Sequence, residues 1–219
     1  MKALIFDLDG VIINSEELHA RAKRLTLHKY DIPYSESIFD DFKGRPDLDF
    51  WSHVVHEYSG ERFSVAGLDA YKRNAYISLT DELQLIPGVM EYIRTSRRRF
   101  PKTGLVTSAT APDFAEADKR FGIRKWFDLV ILGEDTVFHK PHPDPYLKAM
   151  AGLDASGSET AVIEDSPNGI TSAKKAGCYV IGIATGFPAD RLRQSGADQV
   201  VHTFAEIASI QLPVSPAHR

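Results

Sequence analysis

The stretch "LIFDLDGVIINSEELH", Leu4 to His19, runs from an apolar segment into two aspartates one residue apart, followed by a glycine. Residues i and i+2 share one side of a strand, so Asp7 and Asp9 are aimed at nearly the same place. Two carboxylates held there repel unless a cation or a proton intervenes. Taken alone, Asp9-Gly10 also suits a simple turn. The rest of the chain decides between these readings.

Four further apolar runs resemble the first: Gly104–Thr107, Leu129–Leu132, Ala161–Ile163 and Tyr179–Ile183, with a weaker one at Gln199–Val201. Apolar positions in them are continuous rather than alternating, which suits strands buried on both faces of a parallel sheet. Helical patterns lie between them. Phe114, Ala117 and Phe121 are near helical spacing, Asp144-Pro145 and Ser166-Pro167 open two more helices, and Gly177 closes the last. Alternating strands and helices predict an α/β, Rossmann-like doubly wound parallel sheet.

The first crossover breaks the pattern. Far more chain lies between Phe6 and Gly104 than the dozen or so residues a crossover needs. It reads as helix over residues 14–84, with Leu18, Ala22 and Leu25 on one apolar face and Asn14 with Glu17 as a capping pair. The predicted organisation is a core of residues 1–13 and 85–219 carrying an inserted α-helical cap domain, residues 14–84. Gly10 to Asn14 would be the hinge.

At 219 residues, 43% hydrophobic and 26% charged, with net charge −4 and pI near 6.1, the chain is an ordinary globular one. It has no general pull toward nucleic acid or anionic membrane. Cys178 is the only cysteine, which excludes an intrachain disulfide and a thiolate metal cluster. No apolar run is long enough for a membrane span or a secretory leader. A cytoplasmic location and a monomeric state are the expectation, with neither a nucleic-acid nor a membrane partner.

On this scaffold, polar residues follow the strands. Asp7 and Asp9 follow the first, Thr107 and Ser108 the second, Glu134 and Asp135 the third with Lys140 beyond, and Glu164 and Asp165 the fourth. Ligands of open α/β sheets bind at that carboxyl edge. Several carboxylates without thiols or paired histidines suit a hard ion, Mg2+ above all. Thr107 and Ser108 with Lys140 would seat a phosphate, although the first two could simply cap a helix. Metal, phosphate seat and a spare carboxylate together point to phosphoryl transfer through an aspartyl-phosphate.

The chain resembles the haloacid dehalogenase-like superfamily, in "DLDGVIINSEELH", "LVTSAT", "HKPHPDPY" and "IEDSPNGI", four motifs in order over essentially the whole length. It is similar to the branch holding phosphoglycolate phosphatases, small sugar-phosphate phosphatases and β-phosphoglucomutase. The resemblance implies Asp7 as nucleophile and metal ligand. It implies Asp9 as metal ligand through its carbonyl and as the group that protonates the leaving oxygen and then activates water. Thr107 and Lys140 would hold the phosphoryl group with the Ser108 and Ala109 amides, and Asp165 with Glu164 would complete the Mg2+ site. In the cap, the loop "FKGRPDLDFW" would choose the substrate, with Gly44 for the turn and Arg45 as a contact. His19, and Lys72 or Arg73, would be further substrate-binding residues. Asp47 stands where mutase-like members carry an arginine for a second phosphate, and Asn14 where aspartate is commoner. The implied function is a Mg2+-dependent phosphatase of a small phosphorylated metabolite, a sugar phosphate or phosphoglycolate-like compound. The alternatives are a β-phosphoglucomutase-like phosphotransferase and a non-enzymatic phospho-receiver, which would be about half as long and capless.

Overall fold

The computed structural model describes residues 1–42, 45–59 and 62–212. The chain divides into two compact units, Ser15–Leu83 and the remainder, Met1–Asn14 with Gln84 onward. In chain order the strands are β1 (Ala3–Phe6), β2 (Ile13–Asn14), β3 (Gln84–Leu85), β4 (Lys102–Val106), β5 (Leu129–Ile131), β6 (Thr160–Glu164), β7 (Tyr179–Ile183) and β8 (Gln199–Val201). Helices α1 (Glu16–Lys29), α2 (Ser37–Asp41), α3 (Asp47–Val54) and α4 (Val65–Leu79) belong to the inserted unit. Helices α5 (Val89–Ser96), α6 (Ala111–Phe121), α7 (Asp144–Gly152), α8 (Pro167–Lys175), α9 (Ala189–Gln194) and α10 (Phe204–Ser209) belong to the other.

The larger unit is built on a parallel six-stranded sheet of order β5-β4-β1-β6-β7-β8, with β2 and β3 as a separate antiparallel pair. Side chains of β1 alternate between the faces, and all four are fully buried. Ala3 and Ile5 join Val106, Val162 and Val180 in a core covered by Tyr146, Met150, Ile170 and Leu192 of α7, α8 and α9. On the other face Phe6 packs against Tyr92 of α5 and Phe127, with ring centroids 6.2 and 5.5 Å away, and Tyr92 meets Phe204 of α10 at 5.4 Å. Helices on both faces explain the continuous apolar runs. Each large side chain so buried stabilises the fold by about 1.5–3 kcal/mol.

The sheet order reverses at β1: the chain adds β4 and β5 on one side, then β6, β7 and β8 on the other. The carboxyl ends of β4, β1 and β6 therefore meet at a switch point. Asp7 N donates to Ile163 O (3.0 Å) and Thr107 N to Ile131 O (3.0 Å), so both residues are still held by the sheet's backbone ladder as they leave it. Gly122, at φ 64°, ends α6 in the left-handed region where a glycine is at ease.

One sequence expectation changes here. Asp144 does not cap α7: it is the first helical residue, and its carboxylate pairs with His142 Nδ1 at 3.0 Å. Gly10 to Asn14, the segment expected as a hinge, is a bonded turn running into β2. Val11, Ile12 and Ile13 are buried, Ile12 and Ile13 N donate to Leu8 O (2.8 and 3.0 Å), and Gly10 N donates to Ile13 O (2.8 Å).

In the inserted unit α1 and α3 pack on α4. Leu27, Phe42, Phe50, Trp51, Val54 and Leu68 form its apolar core. Asn14 does not cap α1, because the helix starts after Ser15 and Asn14 is taken by β2. Leu25 is 45% exposed, and the buried face of α1 runs Leu18, Ala22, Thr26 instead. The step of four is open to Thr26 because its hydroxyl donates to Ala22 O at 2.8 Å and so enters the core satisfied. Among the described residues no helix is long and apolar enough to cross a membrane.

Candidate active site

Asp7, Thr107, Glu164 and Asp165 are all buried at the ends of the three central strands. Lys140 reaches them from the loop before α7, where its peptide bond to Pro141 is cis. Its ammonium donates to Asp7 Oδ1 (2.6 Å), Glu164 Oε1 (2.7 Å) and Val106 O (3.1 Å). Thr107 Oγ1 accepts from Ala109 N at 2.9 Å, so this amide is engaged by the threonine and the hydroxyl hydrogen is left for another acceptor. Ser108 lies between them, and its carbonyl packs so close to Gly133 that a Cβ there would come within 2.7 Å of it. Glu134 and Asp135 are structural. Glu134 accepts from Ala111 N at the start of α6 (3.0 Å), and Asp135 Oδ2 accepts from Leu132 N (2.8 Å).

Glu164 is held by both oxygens. Oε1 accepts from Lys140 and from the hydroxyl of Tyr146 (2.8 Å); Oε2 accepts from Asp165 N (3.1 Å), Ser166 N (3.2 Å) and Ser166 Oγ (3.0 Å). Its carboxylate lies on the backbone of α8, where a Cβ at Gly169 would sit 1.7 Å from Oε1. Asp165 is confined in a similar way. A Cβ at Gly10 would lie 2.0 Å from its Oδ2, and one at Gly186 would lie 2.3 Å from the same atom. Gly10 is also at φ 74°, and its carbonyl accepts from Thr185 Oγ1 at 2.6 Å. The loop after β7 therefore takes part in the site. Tyr146, Gly169, Thr185 and Gly186 were not picked out from the sequence.

One ammonium faces an excess of carboxylates. Burial pushes Asp7 up to about 8: Lys140 opposes the rise, and Glu164 and Asp9 add to it. Burial disfavours the Lys140 ammonium, but Asp7 and Glu164 outweigh it and hold its pKa above the ordinary lysine value. Ligand oxygens of Asp7, Glu164 and Asp165 lie within 4.8 Å of one another. A buried, all-oxygen donor set with surplus negative charge fits a hard divalent cation. Asp9, half-buried, sits on the adjoining turn in a backbone bridge with Ile13.

The inserted unit holds the other residues singled out from the sequence. Gly44 lies outside the described residues. Arg45 pairs with Asp49 at 3.1 Å and covers the Phe42 ring, and Arg73 pairs with Asp69 at 3.1 Å. His19 belongs to a different group: its Nδ1 is 2.8 Å from Lys72 Nζ, and its ring stacks on Tyr76 with centroids 4.1 Å apart. Lys72, almost fully buried, pairs with Asp47 Oδ2 at 2.6 Å, and Lys23 pairs with Asp47 Oδ1 at 2.9 Å. Burial opposes ionisation of Asp47, but Lys23, Lys72 and His19 prevail and hold it well below the usual carboxylate range. Of the pair Lys72 and Arg73, it is Lys72 that meets His19.

A profile described as haloacid dehalogenase-like hydrolase matches residues 4–183. Validoxylamine A 7'-phosphate phosphatase of Streptomyces hygroscopicus subsp. limoneus is 32% identical, over 94% of this chain and 95% of that one. The β-phosphoglucomutase of Bacillus subtilis is 30% identical, over 94% and 92%. The crystal structure of a HAD hydrolase of family IA, variant 3, from Entamoeba histolytica superposes with a TM-score of 0.82 at 29% identity, covering 94% of this chain and 95% of that one.

Proposed function

The chain belongs to the haloacid dehalogenase-like hydrolase family, and on that premise we propose that it is a Mg2+-dependent phosphatase of a small phosphorylated metabolite. The observation that carries the reading is the meeting of Asp7, Lys140, Glu164 and Asp165 with Thr107 at the switch point of the sheet. Asp7 attacks phosphorus, the ester P–O bond breaks, and Asp9 gives its proton to the leaving oxygen. Asp9 then takes a proton from water, whose oxygen attacks the same phosphorus and frees Asp7 and inorganic phosphate. Lys140 and the Thr107 hydroxyl hold the phosphoryl oxygens, with the Ser108 amide beside them. The Ala109 amide orients the Thr107 hydroxyl. Asp7, Glu164, Asp165 and the Asp9 carbonyl would hold Mg2+, which when bound supplies the positive charge that offsets the carboxylates and the phosphoryl oxygens.

The same Asp7 chemistry would serve a β-phosphoglucomutase-like phosphotransferase, a reading favoured by the similarity to the Bacillus subtilis enzyme. Asp47 weighs against it. It stands where mutase-like members carry an arginine for the second phosphate, and its carboxylate is engaged by Lys23 and Lys72. Phosphate release from a panel of sugar phosphates, polyol phosphates and phosphoglycolate is the test. Activity should vanish in EDTA and in Asp7→Asn, and activity that survives both refutes the reading. Isomerised product from β-glucose 1-phosphate without free phosphate would favour the mutase.

A further inference from the structure

Lys140 has three N–H donors, and all three are spent on Asp7, Glu164 and the Val106 carbonyl. A phosphoryl oxygen can be taken up only if one acceptor is released. Asp7 is the partner whose negative charge falls once its oxygen bonds phosphorus, so its bond is the one to yield. Glu164 would then be the sole carboxylate on a lysine that has just moved. Its Oε2 is fixed by the Asp165 and Ser166 amides and the Ser166 hydroxyl, and its Oε1 is shared by Lys140 and Tyr146.

We propose that Tyr146 is a positioning residue of this site, whose hydroxyl tethers Glu164 Oε1 so that Lys140 can turn from Asp7 to a phosphoryl oxygen without drawing Glu164 after it. The proposal rests on the phosphatase reading above. Tyr146 is completely buried in the first turn of α7, with its ring 5.1 Å from Lys140 Nζ. A phenylalanine would fill the same space and keep the same ring beneath the ammonium. What the hydroxyl adds is one donor to Glu164 at 2.8 Å. If that donor only satisfies a buried tyrosine, deleting it affects stability alone. If it positions Lys140 through Glu164, deleting it slows phosphoryl transfer and spares the binding of intact substrate, because Lys140 leaves Asp7 for the phosphoryl oxygen only as Asp7 bonds phosphorus.

The experiment is Tyr146→Phe, assayed with saturating Mg2+ on the phosphoester that the wild type cleaves best, beside a thermal melt. The expected result is a fall in kcat of about tenfold, set by the loss of one hydrogen bond to a charged group, with KM within about twofold; the melting temperature falls by a few degrees in either case, so the split between kcat and KM decides. A kcat within about twofold of wild type, or a rise in KM beyond that range, overturns the proposal. Should the wild type release no phosphate from any panel member, the phosphatase reading fails and this inference falls with it. A working wild type matched by its variant refutes the inference alone.

Discussion

Replacing Asp7 by asparagine should stabilise the metal-free protein, weakly in acid and most strongly at neutral to alkaline pH. Asp7 is buried, and its pKa is pushed from an ordinary 3.8 up to about 8. Because the folded value lies above the unfolded one, the folded state holds a proton across this interval that the unfolded chain has released. The stability tied to that proton is complete below the ordinary carboxyl pKa and is lost as pH rises through about 8. The full interval corresponds to about 6 kcal/mol, and the attraction of Lys140 is already contained in it, since it is one of the influences that set the folded value. Asparagine removes the ionisation, so the variant should gain about 5 kcal/mol over wild type at pH 8 in EDTA, or roughly 10–20 °C in melting temperature for a chain of this size. At pH 5 the folded protein keeps the proton that the unfolded chain has mostly released, and the gap should shrink to about 2 kcal/mol. Mg2+ should raise the melting temperature of the wild type more than that of Asp7→Asn at pH 8. Scanning calorimetry from pH 5 to 8.5, with and without Mg2+, reads all three. An Asp7→Asn protein that melts below wild type in EDTA at pH 8, or a gap that does not change with pH, refutes the reasoning.

Two further substitutions test other parts of the molecule. Gly186→Ala would bring a Cβ to 2.3 Å from Asp165 Oδ2 and push that carboxylate out of place, so calorimetric titration with Mg2+ should show affinity reduced about tenfold or more, and unchanged affinity would dismiss the role given to this glycine. Asp47→Asn removes the counter-charge of the buried Lys72 and should cost about 3 kcal/mol at pH 7 by chemical denaturation. Since the folded pKa of Asp47 is depressed, its contribution is present above the ordinary carboxyl pKa and drains as pH falls below about 4, so the gap to wild type should narrow there; a gap that widens in acid contradicts the pairing.

The strands were legible because burial on both faces leaves a mark that needs no partner to be seen. Leu4, Ile5 and Phe6 must all be apolar, and so must Val162 and Ile163. The clustered acids Asp7, Glu164 and Asp165 were legible for the opposite reason, as charges placed where such runs end. Tyr146 was not, since a tyrosine on the apolar face of a helix reads as core until its hydroxyl is seen against Glu164. Gly169 and Gly186 act by taking up no room, and the atoms that need the room belong to distant residues. The Lys23–Asp47–Lys72–His19 group draws on α1, α3 and α4, so no local spacing announces it. The errors over Leu25 and Asn14 have a simpler source. One helical step of four instead of three, or a cap one residue later, changes which side chain is used while the pattern stays helical.

The place of the insertion has a consequence for how the chain comes off the ribosome. Ala3 of β1 is paired with Lys102 on one side and Thr160 on the other, so a wholly buried strand is made first and gains its second neighbour only when β6 has been made. Residues Ser15–Leu83, by contrast, form a compact unit of their own and can close as soon as they emerge. During synthesis the nascent chain therefore carries a finished helical unit behind an unpaired, wholly apolar strand. Loop closure over that distance is slow, and such a strand is the segment a chaperone would have reason to cover until β4 and β6 arrive.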